Sequence, residues 1–258
     1  MNSIMAHKPN KALKKLPFWA VLFWIAVWQL GSMSLGQKIL LPPPALVLKR
    51  LSELVVTGDF WDSVVFSLVR ILLGFFCGAA AGVVLAGISV RFRRIRELLS
   101  PLMLTIKAVP VASFIILVLI WISSKNLSVL ISFLIVLPII YTNVQDGIRA
   151  TDPQLLEMAE VFKVSHFRTI RYIYASQVLP FFRSACSVSL GLSWKSGIAA
   201  EVIGIPDGSI GEKLYKAKIF LDTPDLFAWT VVIILLSLAF EKLLLTLLDA
   251  GVRRFERM

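Results

Sequence analysis

Apolar runs of close to 20 residues, almost free of charge, recur six times along this chain. On a helix, such a run crosses roughly 30 Å of hydrocarbon. In that medium a helix satisfies its own backbone groups without help from neighbours. The runs fall at about residues 17–35, 62–90, 101–122, 127–148, 175–202 and 225–249. With 57% hydrophobic and 17% charged residues, the chain has too few polar side chains to cover a water-soluble domain of 258 residues. The expected fold class is all-α and membrane-integral, with six crossings. The first run, from Phe18 to Leu30, carries Trp19, Trp24 and Trp28 and meets no small-residue cleavage pattern, which predicts a retained crossing rather than a cleaved signal.

The basic residues set the orientation. Fifteen lie in one alternate set of segments: Lys8, Lys11, Lys14 and Lys15; Arg91, Arg93, Arg94 and Arg96; Arg149, Lys163, Arg168 and Arg171; Arg253, Arg254 and Arg257. The other set holds seven: Lys38, Lys49, Arg50, Lys125, Lys213, Lys216 and Lys218. By the positive-inside rule both termini are cytoplasmic in a cell-membrane protein. The same placement explains a net charge of +11 through the lipid bilayer's anionic headgroups and without nucleic acid. The expected layout is a cytoplasmic tail 1–16, a membrane domain 17–250 and a cytoplasmic tail 251–258. The domain includes a cytoplasmic loop 149–174 and an external loop 204–224.

Chemistry on the chain itself is not expected. Its two histidines, His7 and His166, lie outside the crossings, and no paired carboxylates or metal-ligand spacing appear, so there is no candidate catalytic residue and no metal site. Cys77 and Cys186 both fall in apolar runs. No phosphate-cradling G-x-x-x-x-G-K-[ST] loop is present; Gly208 to Lys213 lacks the Lys and hydroxyl in register.

Small residues recur at helical spacing: Gly74, Gly78, Gly82 and Ala86 in the second run, and Ser189, Ser193 and Gly197 in the fifth. Such faces allow close backbone approach; they suit packing within the bundle or at a dimer seam, with a translocation path as the alternative. Pro110 and Pro138 are expected to kink or open their helices. After Pro42, Pro43 and Pro44, apolar Val47, Leu48, Leu51, Leu54 and Val55 recur with helical spacing. They form either a helix in the outer interface or one packed on the bundle.

Residues 149–174 are amphipathic and carry too many charged residues to be a crossing. Asp152 and Pro153 are a helix start, as a capping side chain followed by proline at the first helical position. Leu155, Leu156, Ala159 and Phe162 make an apolar face, with Glu157, Glu160 and Lys163 off it. Ser165 offers a second cap, before a helix with Phe167, Ile170 and Ile173 on one side. This elbow is too polar to insert and too apolar to be only solvated, so it should dock into a partner's groove. The alternative for Glu157 is a favourable charge near its helix N-terminus.

Glu157-Met158-Ala159, the turn six residues after Glu157, and Leu179-Pro180 resemble the EAA loop of ABC importer permeases. More of the chain resembles the nitrate/sulfonate/taurine-type uptake permeases: Leu41-Pro42-Pro43-Pro44, Ser67 to Phe75, Pro101-Leu102, Lys107-Ala108-Val109-Pro110, Asp152-Pro153, Trp194, Ala200-Glu201 and Phe227-Ala228. The likeness covers about residues 25–250. Departures from the pattern are Met158 in place of Ala, Lys163 in place of Gly, and Ala175-Ser176 in place of Leu-Pro. A left-handed Lys163 costs about 1 kcal/mol relative to Gly.

The resemblance implies a permease domain working as a homodimer, or beside a close relative, on two cytoplasmic ATPase subunits. An extracytoplasmic substrate-binding protein delivers the solute. ATP and Mg belong to the partner subunits, and this chain carries no cofactor and is not an enzyme. The implied solute is small and anionic, of the nitrate, sulfonate or taurine kind, or a vitamin-precursor pyrimidine. The ATPase-coupling residues would be Asp152, Leu156, Glu157, Ala159, Phe162, Lys163 and Ser165. Of five basic residues inside the runs, Lys107, Arg183 and Lys242 sit near ends from which they can snorkel. Arg70 and Lys195 lie deeper. Arg70, Lys195 and Glu201 are the candidates for a translocation path; the alternatives are a structural pairing for Arg70 and, for Lys195, snorkelling outward or pairing with a carboxylate such as Glu201. Lys213, Lys216 and Lys218 are candidate contacts to the binding protein, against a plain solvated face. The rival function is a secondary transporter independent of ATP, which would need buried carboxylates near the bilayer midplane; only Glu201 and Glu241 are offered, near the ends of their runs.

Overall fold

Helices account for all the regular structure among the described residues, as the apolar runs require. The computed structural model describes residues 17–37 and 39–256, with side chains through residue 250. The expected tail 1–16, Lys38 and Arg257 lie outside the described residues, as do the side chains of Arg253 and Arg254. The elements are α1 (Phe18–Leu35), α2 (Pro44–Val55), α3 (Gly58–Arg91), α4 (Arg93–Ala108), α5 (Val111–Val118), α6 (Ser124–Arg149), α7 (Pro153–Val161), α8 (His166–Arg168), a π-helical segment (Thr169–Tyr174), α9 (Ala175–Gly204), α10 (Ile210–Ile219) and α11 (Thr223–Glu256). The last helix continues through most of the stretch expected as a C-terminal tail.

Among the described residues, four helices are long and apolar enough to cross a membrane: α1, α3, α6 and the first 28 residues of α11. The expected third crossing is not one straight helix. It consists of α4 and α5, bent by 103° at Val109-Pro110. Pro110 cannot donate a backbone hydrogen bond, and the residue before a proline is driven to an extended conformation; Val109 has ψ 129°. Alone, α5 is about 12 Å long at 1.5 Å per residue, too short to cross. The expected fifth crossing, α9, has the length but not the apolarity, because it carries Arg183, Lys195, Glu201 and many serines. Its serines at 189 and 193 are wholly buried: this helix is packed among other helices, where a small polar face is tolerated.

α6 is the central element, with α3 on one flank and α9 on the other. The small-residue stripe of α3 makes the first seam. A Cβ on Gly74 would collide with the Val129 carbonyl oxygen, one on Gly78 would lie 2.8 Å from the Phe133 carbonyl oxygen, and one on Gly82 would lie 2.9 Å from Ile140. On the other flank, Ser132 Oγ donates to the Ser193 carbonyl at 3.3 Å. A Cβ on Gly197 would come within 2.9 Å of the same Ser132 Oγ and 2.7 Å of Ile71. Of the readings open for these stripes, packing inside the bundle is the one adopted. Phe75, Val136, Leu137, Ile140, Cys186 and Leu190 fill the core along these seams. Trp194 and a Phe60–Trp229 stack at 5.1 Å fill a second cluster.

α2 packs on the bundle: Val47 is buried, and Arg50 Nε donates to Asp225 at the start of α11 at 2.9 Å. α1 is attached loosely, through Trp28 Nε1 donating to the Pro42 carbonyl and Ser32 Oγ to that of Leu41.

Gly74→Ala should therefore destabilise the purified protein by about 1–3 kcal/mol, because backbone rather than a mobile side chain occupies the space. Gly87, in the same helix, has nothing within 4 Å of its added Cβ. Gly87→Ala should be neutral or stabilising by up to about 1 kcal/mol. Thermal unfolding of the two variants in one detergent checks the contrast.

Candidate functional site

The elbow begins as its sequence requires. Asp152 has extended dihedrals and its carboxylate accepts from the Gln154 N–H at 2.8 Å, with Pro153 at the first helical position. α7 then ends in a left-handed turn: Lys163 has φ 50°, the Val164 N–H donates to the Ala159 carbonyl at 2.8 Å, and the Phe162 N–H to that of Met158 at 3.0 Å. This is the six-to-one closure that usually places Gly at the left-handed position. Lys163 thus adopts the conformation its sequence makes costly. Ser165 has the extended dihedrals of a cap, but its side chain makes no capping bond; its carbonyl accepts from the Thr169 N–H at 3.0 Å.

The faces of the elbow differ in part from those expected. Ala159 is buried at 4% exposure, turned toward its own chain, so it cannot fill a partner's groove. Leu155 and Leu156 are half-buried. The outward apolar surface is instead Met158, Val161, Phe162, Phe167 and Ile170, with Val161 and Phe162 at 77% and 74% exposure. Phe162, Phe167 and Ile170 belong to the apolar faces expected from the sequence; Met158 and Val161 do not, because a nine-residue helix leaves its outward face undetermined until its neighbours are known. Glu157 is exposed and makes no hydrogen bond or ion pair among the described residues. No boundary separates the second arm from the fifth run: α8, the π-helical segment and α9 follow without a break.

The three residues proposed for a path separate in space and role. Arg70 donates to the Lys125 carbonyl and, at 3.2 Å, to Asn126 Oδ1, while its guanidinium lies 4.1 Å over the Phe66 ring. It ties α3 to the start of α6. Glu201 has no exposed surface. Its Oε2 accepts from Ser67 Oγ at 2.6 Å and from the Gly211 N–H at 3.4 Å, and Ser67 Oγ accepts in turn from the Ile210 N–H at 3.0 Å. Gly211 sits so close to Glu201 and Val202 that a Cβ there would overlap them. This arrangement clamps the start of α10 onto α9 and α3. Lys195 is exposed on α9, beside exposed Val188 and Leu192, and makes no ion pair or hydrogen bond among the described residues.

Two of the three lysines on α10 are already engaged. Lys213 Nζ meets Asp59 at 2.5 Å and Lys216 pairs with Glu212. Lys218 is exposed. Ser209 caps α10, accepting from the Glu212 N–H at 3.0 Å, and Glu212 accepts from the Gly208 N–H at 2.7 Å. Burial alone would raise the Glu212 carboxyl, but Lys216, the Gly208 N–H and Lys213 outweigh it and hold the group below its ordinary value. That charge stabilises the docked α10 at neutral pH, and the contribution is lost as pH falls through the lowered pKa. Leu221 lies beyond the helix end, with φ 56° and 69% exposure.

A multi-pass helical bundle with small-residue seams, and an exposed apolar elbow between α6 and α9, define a polytopic membrane protein. Residues 71–257 match the family described as binding-protein-dependent transport system inner membrane component, and the chain belongs to that family. A Bacillus subtilis (strain 168) protein named as an aliphatic sulfonates transport permease, SsuC, is 28% identical over 90% of this chain and 82% of its own length. The taurine transport system permease protein TauC of Escherichia coli (strain K12) is 24% identical over 89% of this chain and 82% of its own. Among solved structures, an amino acid ABC transporter with histidines covers 79% of this chain and 97% of its own at 20% identity with a TM-score of 0.58, a likeness of fold. The chain is the permease subunit of an ATP-binding-cassette importer. The rival reading, a secondary transporter without ATP, finds no support.

Because Lys163 holds a left-handed conformation in an exposed turn, Lys163→Gly should relieve about 1 kcal/mol of strain in α7. Amide hydrogen exchange of residues 159–164 should slow in that variant. Unchanged or faster exchange would show that the lysine is not strained there.

Proposed function

We propose that this permease forms a homodimer seated on two cytoplasmic ATPase subunits, which its elbows grip, and imports a small sulfonate-type anion delivered by an extracytoplasmic binding protein. Six crossings, with both termini in the cytoplasm, place the elbow on the ATPase side. The excess of basic residues in the elbow-side segments supports that orientation. The long α9 supports counting a fifth crossing although its polarity is high. The bent pair α4–α5 supplies the third as a broken span.

One observation carries the coupling role. Val161, Phe162, Phe167 and Ile170 are each at least 60% exposed on a segment outside the crossings. An apolar patch there is stable when a partner covers it. Glu157, whose side chain has no partner among the described residues, supplies a polar contact at the rim of that patch, and Asp152 and Lys163 fix the two ends of α7. ATP and Mg act on the partner subunits, and this chain transmits their closure. The names of the sulfonate and taurine relatives support the solute class, and the binding protein sets selectivity within it. Lys195 is the residue we assign to the path, because its ammonium is exposed and uncommitted on α9. Arg70 and Glu201 serve structure. Lys218, rather than Lys213 or Lys216, is the lysine left to meet the binding protein.

Glu157→Lys combined with Phe162→Asp should leave membrane insertion intact, abolish co-purification of the ATPase subunit and lower uptake at least about tenfold. Normal assembly and uptake in that variant would remove the coupling role. Lys195→Met should reduce uptake of an aliphatic sulfonate without changing ATPase assembly; unaltered uptake would dispose of the path assignment.

A further inference from the structure

At the elbow end of the bundle, α4 and α6 leave a cleft of about 370 Å³. Three cationic side chains line it, Arg96, Lys107 and Arg149, with Glu97 as the single carboxylate. That carboxylate is already engaged: Arg93 Nε donates to it at 2.7 Å. The cations have only weak, neutral partners. Lys107 Nζ donates to Thr142 Oγ1 at 3.3 Å, and Arg149 to Gln145 Oε1 at 3.5 Å. The Arg96 side chain has no ion pair or hydrogen bond among the described residues.

The second, independent observation is Gln145. It is 6% exposed, and its Nε2 is buried without an acceptor among the described residues. A buried amide donor left unpaired destabilises the fold until an acceptor reaches it. Its oxygen is oriented by Arg149, which leaves the NH2 with no acceptor in a cleft whose lining it shares with three cations. Like charges gathered around a part-enclosed cavity repel one another, and an arriving acceptor of negative charge relieves both the repulsion and the orphaned donor. Guanidinium, ammonium and amide donors converging on one volume match a group with several charged oxygens.

We propose that this cleft binds a tetrahedral oxyanion head, a phosphate or a sulfonate, at the elbow end of the membrane domain. The group has two possible sources: the headgroup of an anionic phospholipid reaching in from the surrounding leaflet, or a free solute anion entering from the aqueous side. The assignment does not depend on which solute the transporter moves.

The test uses the purified full-length chain in two arms. In the first, native mass spectrometry of the protein released from bilayers of mixed phosphatidylcholine and phosphatidylglycerol counts retained phosphatidylglycerol. In the second, equilibrium dialysis of radiolabelled sulfate is measured in nanodiscs of phosphatidylcholine alone. Both are repeated on Arg96→Gln/Lys107→Gln and on Gln145→Leu, which removes the orphaned donor without changing net charge. Thermal unfolding serves as the folding control. The expected result is saturable binding in at least one arm, about tenfold weaker in the double variant and several-fold weaker in Gln145→Leu. Loss confined to the first arm identifies the lipid headgroup, and loss in the second identifies the free anion. No saturable binding in either arm, or binding equal in wild type and Gln145→Leu, overturns the site. Should the double variant fail to fold, Gln145→Leu alone decides.

Discussion

Everything in this fold depends on how closely two helices can approach α6. Hydrocarbon gives helices no reason to associate through apolar burial, so contact has to come from close packing of atoms. Gly74, Gly78 and Gly82 let α3 lie against the carbonyl oxygens of α6. Gly197, with Ser132 and Ser193, does the same for α9. With those two seams formed, the remaining helices have a surface to rest on. α10 is held at one end through Glu201 and Ser67, and α11 is tied to α9 by the Arg183–Asp249 pair at 2.5 Å and by Ser187 donating to Glu241 at 2.6 Å.

The chain's polarity is arranged around the same centre. The buried hydroxyls of Ser67, Ser89, Ser128, Ser132, Ser189 and Ser193 lie on α3, α6 and α9. Tyr141 donates to Ser89 at 3.1 Å across the α3–α6 seam. Small hydroxyls combine the slimness of Gly with a directional bond. They also lower the apolarity of α9 enough that hydropathy alone understates it as a membrane helix. Buried position, not composition, is what makes that helix tolerable in a bilayer protein.

Much of this was legible in the sequence where a local rule decides. The apolar runs located α1, α3, α6 and α11; four-residue spacing of Gly located the first seam; Asp152-Pro153 located the start of α7. The readings that needed revision all turn on long-range partners. Pro110 announced a kink, but a 103° turn depends on what α4 and α5 pack against. Ala159 looked like part of an outward face and is turned inward. Lys213 looked available and is held by Asp59, which is 154 positions away in sequence. The cleft at Gln145 had no sequence signature at all, since its cations come from separate segments whose only shared property is basic charge.

From His166 to Gly204 the backbone is helical throughout, first α8, then the π-helical segment, then α9. At 1.5 Å per residue, α9 alone is about 45 Å long. The continuous helical run joins Phe167 at the elbow to Glu201 at the clamp on α10, with no loop between them. A displacement imposed at Phe167 has a continuous helical backbone along which to reach the far end of α9. The π-helical stretch is then the one section of looser winding, and its compliance sets how much play the transmission has.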